Sequence, residues 1–533
     1  MAYSGKLELT WVGKYDEKVV EPRILVEDKS KSYGDPSSEN MLIHGDNLIA
    51  LQALQQDFAG KIKCIYIDPP YNTGSAFESY DDNLEHSIWL NMMKPRLELL
   101  WSLLKDENGV ILISVNDDEC HYLKVLCDEL FGRRNFIASL VWNYEGNTDN
   151  QAQIINYHEY ILIYSKSGKI DDPNVIDPNI TNDSKLYKDE IRNTVIKNGP
   201  KNPPKTILIP KGFPAAFEEG IIKKEDVVFP RYSEDIYVKN SVTCNDVWAT
   251  SGWSSKKILL SFIDSGFSAV SDSKGQETVF EMKSTGAIEA VKRRENTKGH
   301  FVSVLRGFGT TNQMRLMLGQ MGLSFSYPKP VKLIEYLIEA FSSKGDIILD
   351  SFAGSGTTAH AVMELNAQQV SKRNFILVEM SEHNAKEVIY PRLVNVINGF
   401  SAADISPHPL EGFKYYELAP SLLIKNDKLP VYQVNPEYTF EMMCEAICKL
   451  EGFRYKPDGN FHGYSSEKRF IHITKEFVNA EYIMSVATTL GEDQSLLIYG
   501  TKIQSDLRLP DNIEVKKIPK DLLEKCDFES EVR

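Results

Sequence analysis

Asp68-Pro69-Pro70-Tyr71 is the segment of this chain best equipped to do chemistry. It follows an apolar run, Lys63-Cys64-Ile65-Tyr66-Ile67, that reads as a buried strand. A carboxylate, two prolines and an aromatic ring therefore leave a sheet at its carboxyl edge, where α/β enzymes keep their sites. Consecutive prolines fix φ and remove two N–H donors, so the turn presents carbonyl oxygens and a carboxylate without competing donors. Such a turn suits a ligand that offers N–H hydrogens, and the tyrosine ring can stack on a flat one. An exocyclic amino group on a nucleobase meets both conditions; a tight turn with no ligand is the plainer alternative.

A second segment, Asp350-Ser351-Phe352-Ala353-Gly354-Ser355-Gly356-Thr357-Thr358, joins a buried strand to a helix. Its glycines fall where backbone must pass close to a ligand. Glu379 ends the next strand, 23 residues beyond Gly356, where an acid can accept hydrogen bonds from ribose hydroxyls. A phosphate-cradling P-loop needs Gly-Lys-Ser/Thr, and the lysine is missing. A dinucleotide match, Gly354-x-Gly356-x-x-Ala359, exists and would make the chain an oxidoreductase. An adenosine-bearing cofactor without phosphates accounts equally well for the acid, the glycines and the phenylalanine, and S-adenosylmethionine is the candidate. Lys329, just before a helix in Tyr327-Pro328-Lys329-Pro330, can neutralise that cofactor's methionyl carboxylate.

These residues need a scaffold, and the hydrophobic pattern supplies one. The expected elements are strands over 41–44, 63–67, 110–115, 139–142, 160–164, 346–349 and 374–378. Helices are expected over 47–56, 88–104, 118–131, 331–341, 357–366 and 385–398. Weak strand signals at Lys6–Val12 and Arg23–Val26 lie in an N-terminal arm, 1–40. Alternation then runs over 41–168, breaks over 169–325, resumes over 326–400 and takes a different texture over 401–533. The irregular block, rich in Asn, Pro, Ser, Lys and Gly, reads as a domain inserted into an α/β fold.

Composition narrows the class. At 533 residues the chain is too long for one core. No run of 18 apolar residues marks a membrane span, and the first residues lack the apolar stretch of a signal peptide. Seven cysteines without C-x-x-C spacing, the closest pairs being Cys444/Cys448 and Cys120/Cys127, suggest buried thiols in a reducing cytoplasm and no metal site. The net charge of −15 is unfavourable to nucleic acid, but it is unevenly spread. Residues 191–310 carry 18 Lys+Arg against 13 Asp+Glu, which permits DNA binding without demonstrating it.

Taken together, the segments resemble the amino-methyltransferases of DNA in their permuted, β-group order. Gly45-Asp46, Asp68-Pro69-Pro70-Tyr71 and Phe352-x-Gly354-x-Gly356 occur here in that order. The chain is most similar to the modification subunits of type III restriction–modification systems. The string is Asp68-Pro69-Pro70-Tyr71-Asn72-Thr73-Gly74, Phe77, Tyr80, Asp82, Ser87-x-Trp89 and Arg96-Leu97. Ser114-Val115-Asn116-Asp117-Asp118-Glu119 and Gly132 with Asn135-Phe136 continue it. The resemblance implies a doubly wound, mostly parallel α/β sheet of the S-adenosylmethionine-dependent methyltransferase fold, circularly permuted. A target-recognition insert and a C-terminal α/β domain accompany it.

The implied reaction is methyl transfer from S-adenosylmethionine to the N6 amine of adenine in duplex DNA, on a base flipped out of the stack. Asp68 and the Pro69 carbonyl would accept the amine hydrogens, with Pro70 completing the turn and Tyr71 stacking on the base. Asp46 would bond the cofactor's adenine amine and Phe352 pack on its adenosine. Asp350 and Lys329 would meet its amino-acid end, Gly354 and Gly356 would give it room, and Glu379 would hold its ribose. Trp142 and Tyr144 can wall the base pocket. Arg293, Arg294 and Arg306 are weak candidates for DNA contacts. The implied partners are duplex DNA, a second copy of the chain and a separate ATP-dependent endonuclease subunit. A solitary or other phage-defence adenine methyltransferase, an NAD-dependent oxidoreductase and a non-catalytic DNA-recognition subunit are the alternatives.

Overall fold

The apolar runs become strands of one sheet: β1 (Met41–His44), β2 (Cys64–Ile67), β3 (Val110–Val115), β4 (Phe136–Asn143), β5 (His158–Ser165), β6 (Ile347–Asp350), β7 (Asn374–Glu379) and β8 (Gly412–Leu418). The helices beside them are α1 (Asn47–Phe58), α2 (His86–Leu103), α3 (Asp117–Cys127), α4 (Val331–Phe341), α5 (Thr357–Gln369) and α6 (Tyr390–Asn398). This computed structural model describes residues 8–16, 20–72, 85–144, 156–173, 175–180, 190–272, 275–293, 301–369, 372–426, 428–466, 468–526 and 528. It comprises two units, Met1–Asp177 with His300–Arg533, and Pro178–Gly299.

Across the sheet the order is β8–β1–β7–β6–β2–β3–β5–β4. The first six are parallel to their neighbours, while β5 runs antiparallel to both β3 and β4. Alternate strand residues face opposite sides, and both sides are apolar. Met41, Ile43, Ile65, Ile67, Ile111 and Ile113 pack with α1, α2 and α3. Leu42, Tyr66, Leu112, Ile348, Phe375 and Leu377 pack with α4, α5 and α6. A sheet buried on both faces explains why its strands read as continuous apolar runs rather than alternating ones. The result is the doubly wound, mostly parallel α/β sheet that the sequence leads one to expect.

Three local expectations differ from the structure. Residues 8–12 of the N-terminal arm form no strand, because Leu9 and Trp11 pack against the α2 side of the core instead. The Trp11 indole donates to Asn91 Oδ1 at 2.6 Å, which anchors the arm by side chain. Val304–Leu305 pairs with β4, and the helix Thr311–Gln320 buries Leu318 in the main core, so the insert is shorter than 169–325. Strand β8, expected in the separate tail, instead lies beside β1, with Phe413 and Tyr415 buried in the main core.

The unit over 178–299 is built of small sheets around Phe213, Phe262, Phe280 and Trp253. On its strand Val247–Ser251, Trp248 lies opposite Leu208 and is 53% exposed while its neighbours Val247 and Ala249 are buried. Farther along the chain, a five-stranded sheet spans Arg454–Lys517 and is covered by the helix Phe440–Leu450. Among the described residues no helix is long and apolar enough to cross a membrane.

Candidate active site

The sheet reverses its winding between β6 and β2. From β2 the chain passes through α2 to β3 on one side; from β6 it passes through α5 to β7 on the other. Crevices at such reversals, at the carboxyl ends of the strands, are where open α/β sheets bind ligands. Leu349 lies beside Ile65 in parallel register, so Asp350 and Asp68 leave neighbouring strands at the same end. Glu379 ends β7, on the far side of β6.

The Asp68–Tyr71 turn is held from several directions. The Trp89 indole, on α2, donates to the Pro70 carbonyl at 2.8 Å. Asn72 adopts φ +60°, a left-handed conformation that asparagine tolerates better than most residues. Its side chain donates to the buried Glu119 at 2.6 Å, and the same Glu119 oxygen pairs with His86 at 2.7 Å. The Ser114–Glu119 string therefore serves the turn through Glu119. Thr73, Gly74, Phe77, Tyr80 and Asp82 lie outside the described residues.

Within the turn, both oxygens of Asp68 are occupied. The Tyr71 hydroxyl donates to Oδ1 at 2.6 Å, and the Lys329 ammonium meets Oδ2 at 2.7 Å. The sequence leads one to expect Lys329 at the cofactor's carboxylate; in this structure it reaches the Asp68–Tyr71 turn. Its own carbonyl accepts from Thr357 at the start of α5 (3.3 Å), so one residue ties the two halves of the crevice together. A further acid, Glu159 on β5, receives the Tyr71 hydroxyl at 3.0 Å and stands 3.3 Å from the Lys329 ammonium. Burial opposes the charge on Lys329, but Asp68 and Glu159 outweigh it and hold the ammonium above the ordinary lysine value. Burial likewise pushes Glu159 up, against the pull of Lys329. The Tyr71 phenol is driven well above its usual range by burial and by the two carboxylates, so it remains a donor. Lys329 also lies 4.9 Å from the Tyr71 ring centre and 6.0 Å from that of Trp142. Among the described residues the buried Trp142 indole N–H has no hydrogen-bond partner, and Tyr144 packs beside it at 5.6 Å.

The glycine-bearing loop forms the other wall. Gly354 and Gly356 have φ of +55° and +77°. A Cβ on Gly356 would sit 2.9 Å from Ile389 and force a shift there, whereas one on Gly354 would make a tight contact, 3.2 Å from Phe325. Glu379 receives the Gly354 amide on one oxygen (2.8 Å) and the Ser381 amide on the other (2.9 Å), which fixes the acid against the loop. Phe352 is buried at the loop's start, and its amide donates to Asp350 at 3.0 Å. Thr358 donates to the other Asp350 oxygen at 2.6 Å. Burial pushes the Asp350 carboxyl up to about 7 despite these hydrogen bonds.

Asp46 caps α1, accepting from the Leu48 and Ile49 amides at 2.8 and 3.1 Å, and meets Arg96 at 3.3 Å. Arg96 also donates to Asn47, whose amide reaches the Ser351 carbonyl at 2.9 Å; the arginine of the α2 string thus props the glycine loop. Arg293 ends a strand of the 178–299 unit, Arg306 is exposed in the other unit, and Arg294 lies outside the described residues.

Two supporting residues were not legible in advance. Glu159 sits where an apolar strand is expected to start one residue later, and its signal is a lone acid between His158 and Tyr160. Arg392, fully buried on α6, donates to the Ser355 carbonyl (2.9 Å), the Ser355 hydroxyl (3.0 Å) and the Thr357 hydroxyl (3.1 Å) behind the loop.

Comparison with known proteins bears on this geometry. The model of a family described as DNA methylase matches residues 62–389, which span both walls of the crevice. The Mod subunit of the type III restriction–modification enzyme EcoPI, from Escherichia phage P1, is 31% identical over 423 residues, covering 70% of this chain and 63% of that protein. The StyLTI Mod subunit of Salmonella typhimurium is 28% identical over 450 residues, covering 75% and 62%. The chain thus spans a little under two thirds of these relatives' lengths. A DNA modification methylase of Thermus thermophilus, solved with S-adenosyl-L-methionine, aligns at a TM-score of 0.32 and 16% identity, over 71% of this chain and all of that one.

Proposed function

The chain belongs to the DNA methylase family, and from that premise we propose that it methylates N6 of adenine in duplex DNA with S-adenosylmethionine. We assign it the part of modification subunit in a type III restriction–modification system, acting as a homodimer with a separate ATP-dependent endonuclease subunit. The observation that carries this is the meeting of an Asp-Pro-Pro-Tyr turn and a glycine loop on neighbouring strands, although Asp68 and Asp350 are 282 positions apart in sequence.

The residues present suit the cofactor. Gly354 and Gly356 give the loop its left-handed turns, Phe352 offers a ring, and Glu379 presents a carboxylate at the end of β7. Asp350 and Lys329 would meet the amino-acid end of such a ligand, and Asp46 would bond its adenine amine. When bound, S-adenosylmethionine supplies an electrophilic methyl group. The chain does the rest by binding and orientation. Tyr71 stacks on the flipped base, worth about 1–3 kcal/mol. Asp68 and the Pro69 carbonyl accept the two amine hydrogens and turn the nitrogen lone pair out of conjugation with the ring. Aspartate at the head of the turn favours adenine over cytosine. The unit over 178–299 supplies the side chains that read the DNA sequence.

Ligand-dependent melting separates this assignment from an oxidoreductase. S-Adenosylhomocysteine at about 100 times its Kd should stabilise the protein by about 2.7 kcal/mol, and NAD should not. Stabilisation by NAD alone would overturn the assignment.

A further inference from the structure

The Asp68 carboxylate, which must accept amine hydrogens, holds two donors: the Tyr71 hydroxyl on Oδ1 and the Lys329 ammonium on Oδ2. An acid paired with an ammonium is a weaker acceptor for an incoming amine, so these two contacts mask the group that the reaction needs. Glu159 faces the same two donors from β5, at 3.0 Å from the hydroxyl and 3.3 Å from the ammonium. The three charged groups sum to −1. Resting on the methyltransferase assignment above, we propose that Glu159 is a positioning residue that takes the Lys329 ammonium and the Tyr71 hydroxyl from Asp68 when the target base enters, freeing Asp68 for the amine.

The geometry suits such a transfer. The ammonium has three N–H groups and already spans both acids, so a small rotation at the end of its side chain shifts it from one to the other. The Lys329 carbonyl stays bonded to Thr357, and the rings of Tyr71 and Trp142 flank the ammonium; these contacts keep its path short. Nothing in the transfer requires a backbone change. The turn itself stays fixed by Trp89 and Glu119.

Charge balance provides the test. In Glu159→Gln the amide oxygen still accepts hydrogen bonds but has no charge to draw the ammonium, so Lys329 stays on the Asp68 carboxylate. Lys329→Met leaves two acids facing each other without a cation. Each single variant should methylate unmethylated genomic DNA about tenfold more slowly than the wild type under single-turnover conditions. The double variant has one acid, no cation and the wild-type sum of −1, and should be at least about fivefold faster than either single one, a coupling of ordinary size for residues in contact. Affinity of Glu159→Gln for S-adenosylhomocysteine, by calorimetry, should match the wild type within about twofold. A Glu159→Gln variant as fast as the wild type, or a double variant whose loss is the product of the single losses, overturns the proposal and leaves the methyltransferase assignment standing. A wild-type protein that transfers no methyl group to DNA overturns both.

Discussion

At the scale of single residues, the site is crowded with groups whose charge is controlled by burial. Asp350 is the clearest. Its carboxyl is pushed up to about 7 by burial, although Thr358 and the Phe352 amide bond to it. A folded-state value above the unfolded one means that the folded protein holds a proton that the unfolded chain releases. Stability from this group is therefore complete below about pH 4 and is lost as pH rises towards 7. Asp350→Asn should remove that contribution. The wild type should lose more stability than the variant between pH 4 and 7, by on the order of a few kcal/mol, read from urea midpoints at each pH. Parallel curves for the two proteins would show that Asp350 ionises normally. The places of Asp68, Tyr71 and Glu379 were legible in the sequence because each sits at or just beyond a strand end beside a turn signal. Their partners were not. Lys329 finds Asp68 across 261 residues, and Glu159 finds Tyr71 across 88. Only the closing of the sheet creates those contacts.

At the scale of elements, what matters is how tightly the glycine loop is held between β6 and α5. Gly356 combines φ +77° with a Cβ position 2.9 Å from Ile389. Gly356→Ala should cost about 1–3 kcal/mol in stability and weaken S-adenosylhomocysteine binding by about tenfold or more, measured by melting and calorimetry. Gly60 has a similar φ of +69° but open space around its Cβ position, so Gly60→Ala should carry the backbone strain and leave that binding unchanged. Equal effects of the two substitutions on binding would deny the loop its special role. Element identity was largely readable: β1, β3 and α4 fall on the expected residues, since each is a short apolar run or an amphipathic stretch bounded by turn residues. Strand partners were harder. β8 reads as the start of a tail, yet it completes the parallel half of the sheet, because the contacts of Phe413 and Tyr415 lie in helices and strands far away in sequence.

At the scale of the whole molecule, the Asp68 turn and the glycine loop belong to one unit and residues 178–299 form another with its own core. Replacing 178–299 by a flexible Gly/Ser linker should leave thermal stabilisation by S-adenosylhomocysteine in place and abolish specific DNA binding in a mobility-shift assay. Loss of both together would mean that the units depend on each other for folding. The order of the segments was legible from the chain, because motif spacing survives without any knowledge of contacts. Whether the 178–299 unit reads bases was not, since base reading depends on a few side chains placed by irregular loops rather than on periodic pattern.

The central claim is that Asp68 and Tyr71 present adenine's amine to a methyl group held by the Gly354–Glu379 wall. Incubating the protein with unmethylated genomic DNA and methyl-labelled S-adenosylmethionine, then digesting to nucleosides, tests it most directly. Label should appear in N6-methyldeoxyadenosine and should vanish with Asp68→Ala. Label in methylcytosine, or in no nucleoside at all, would contradict it.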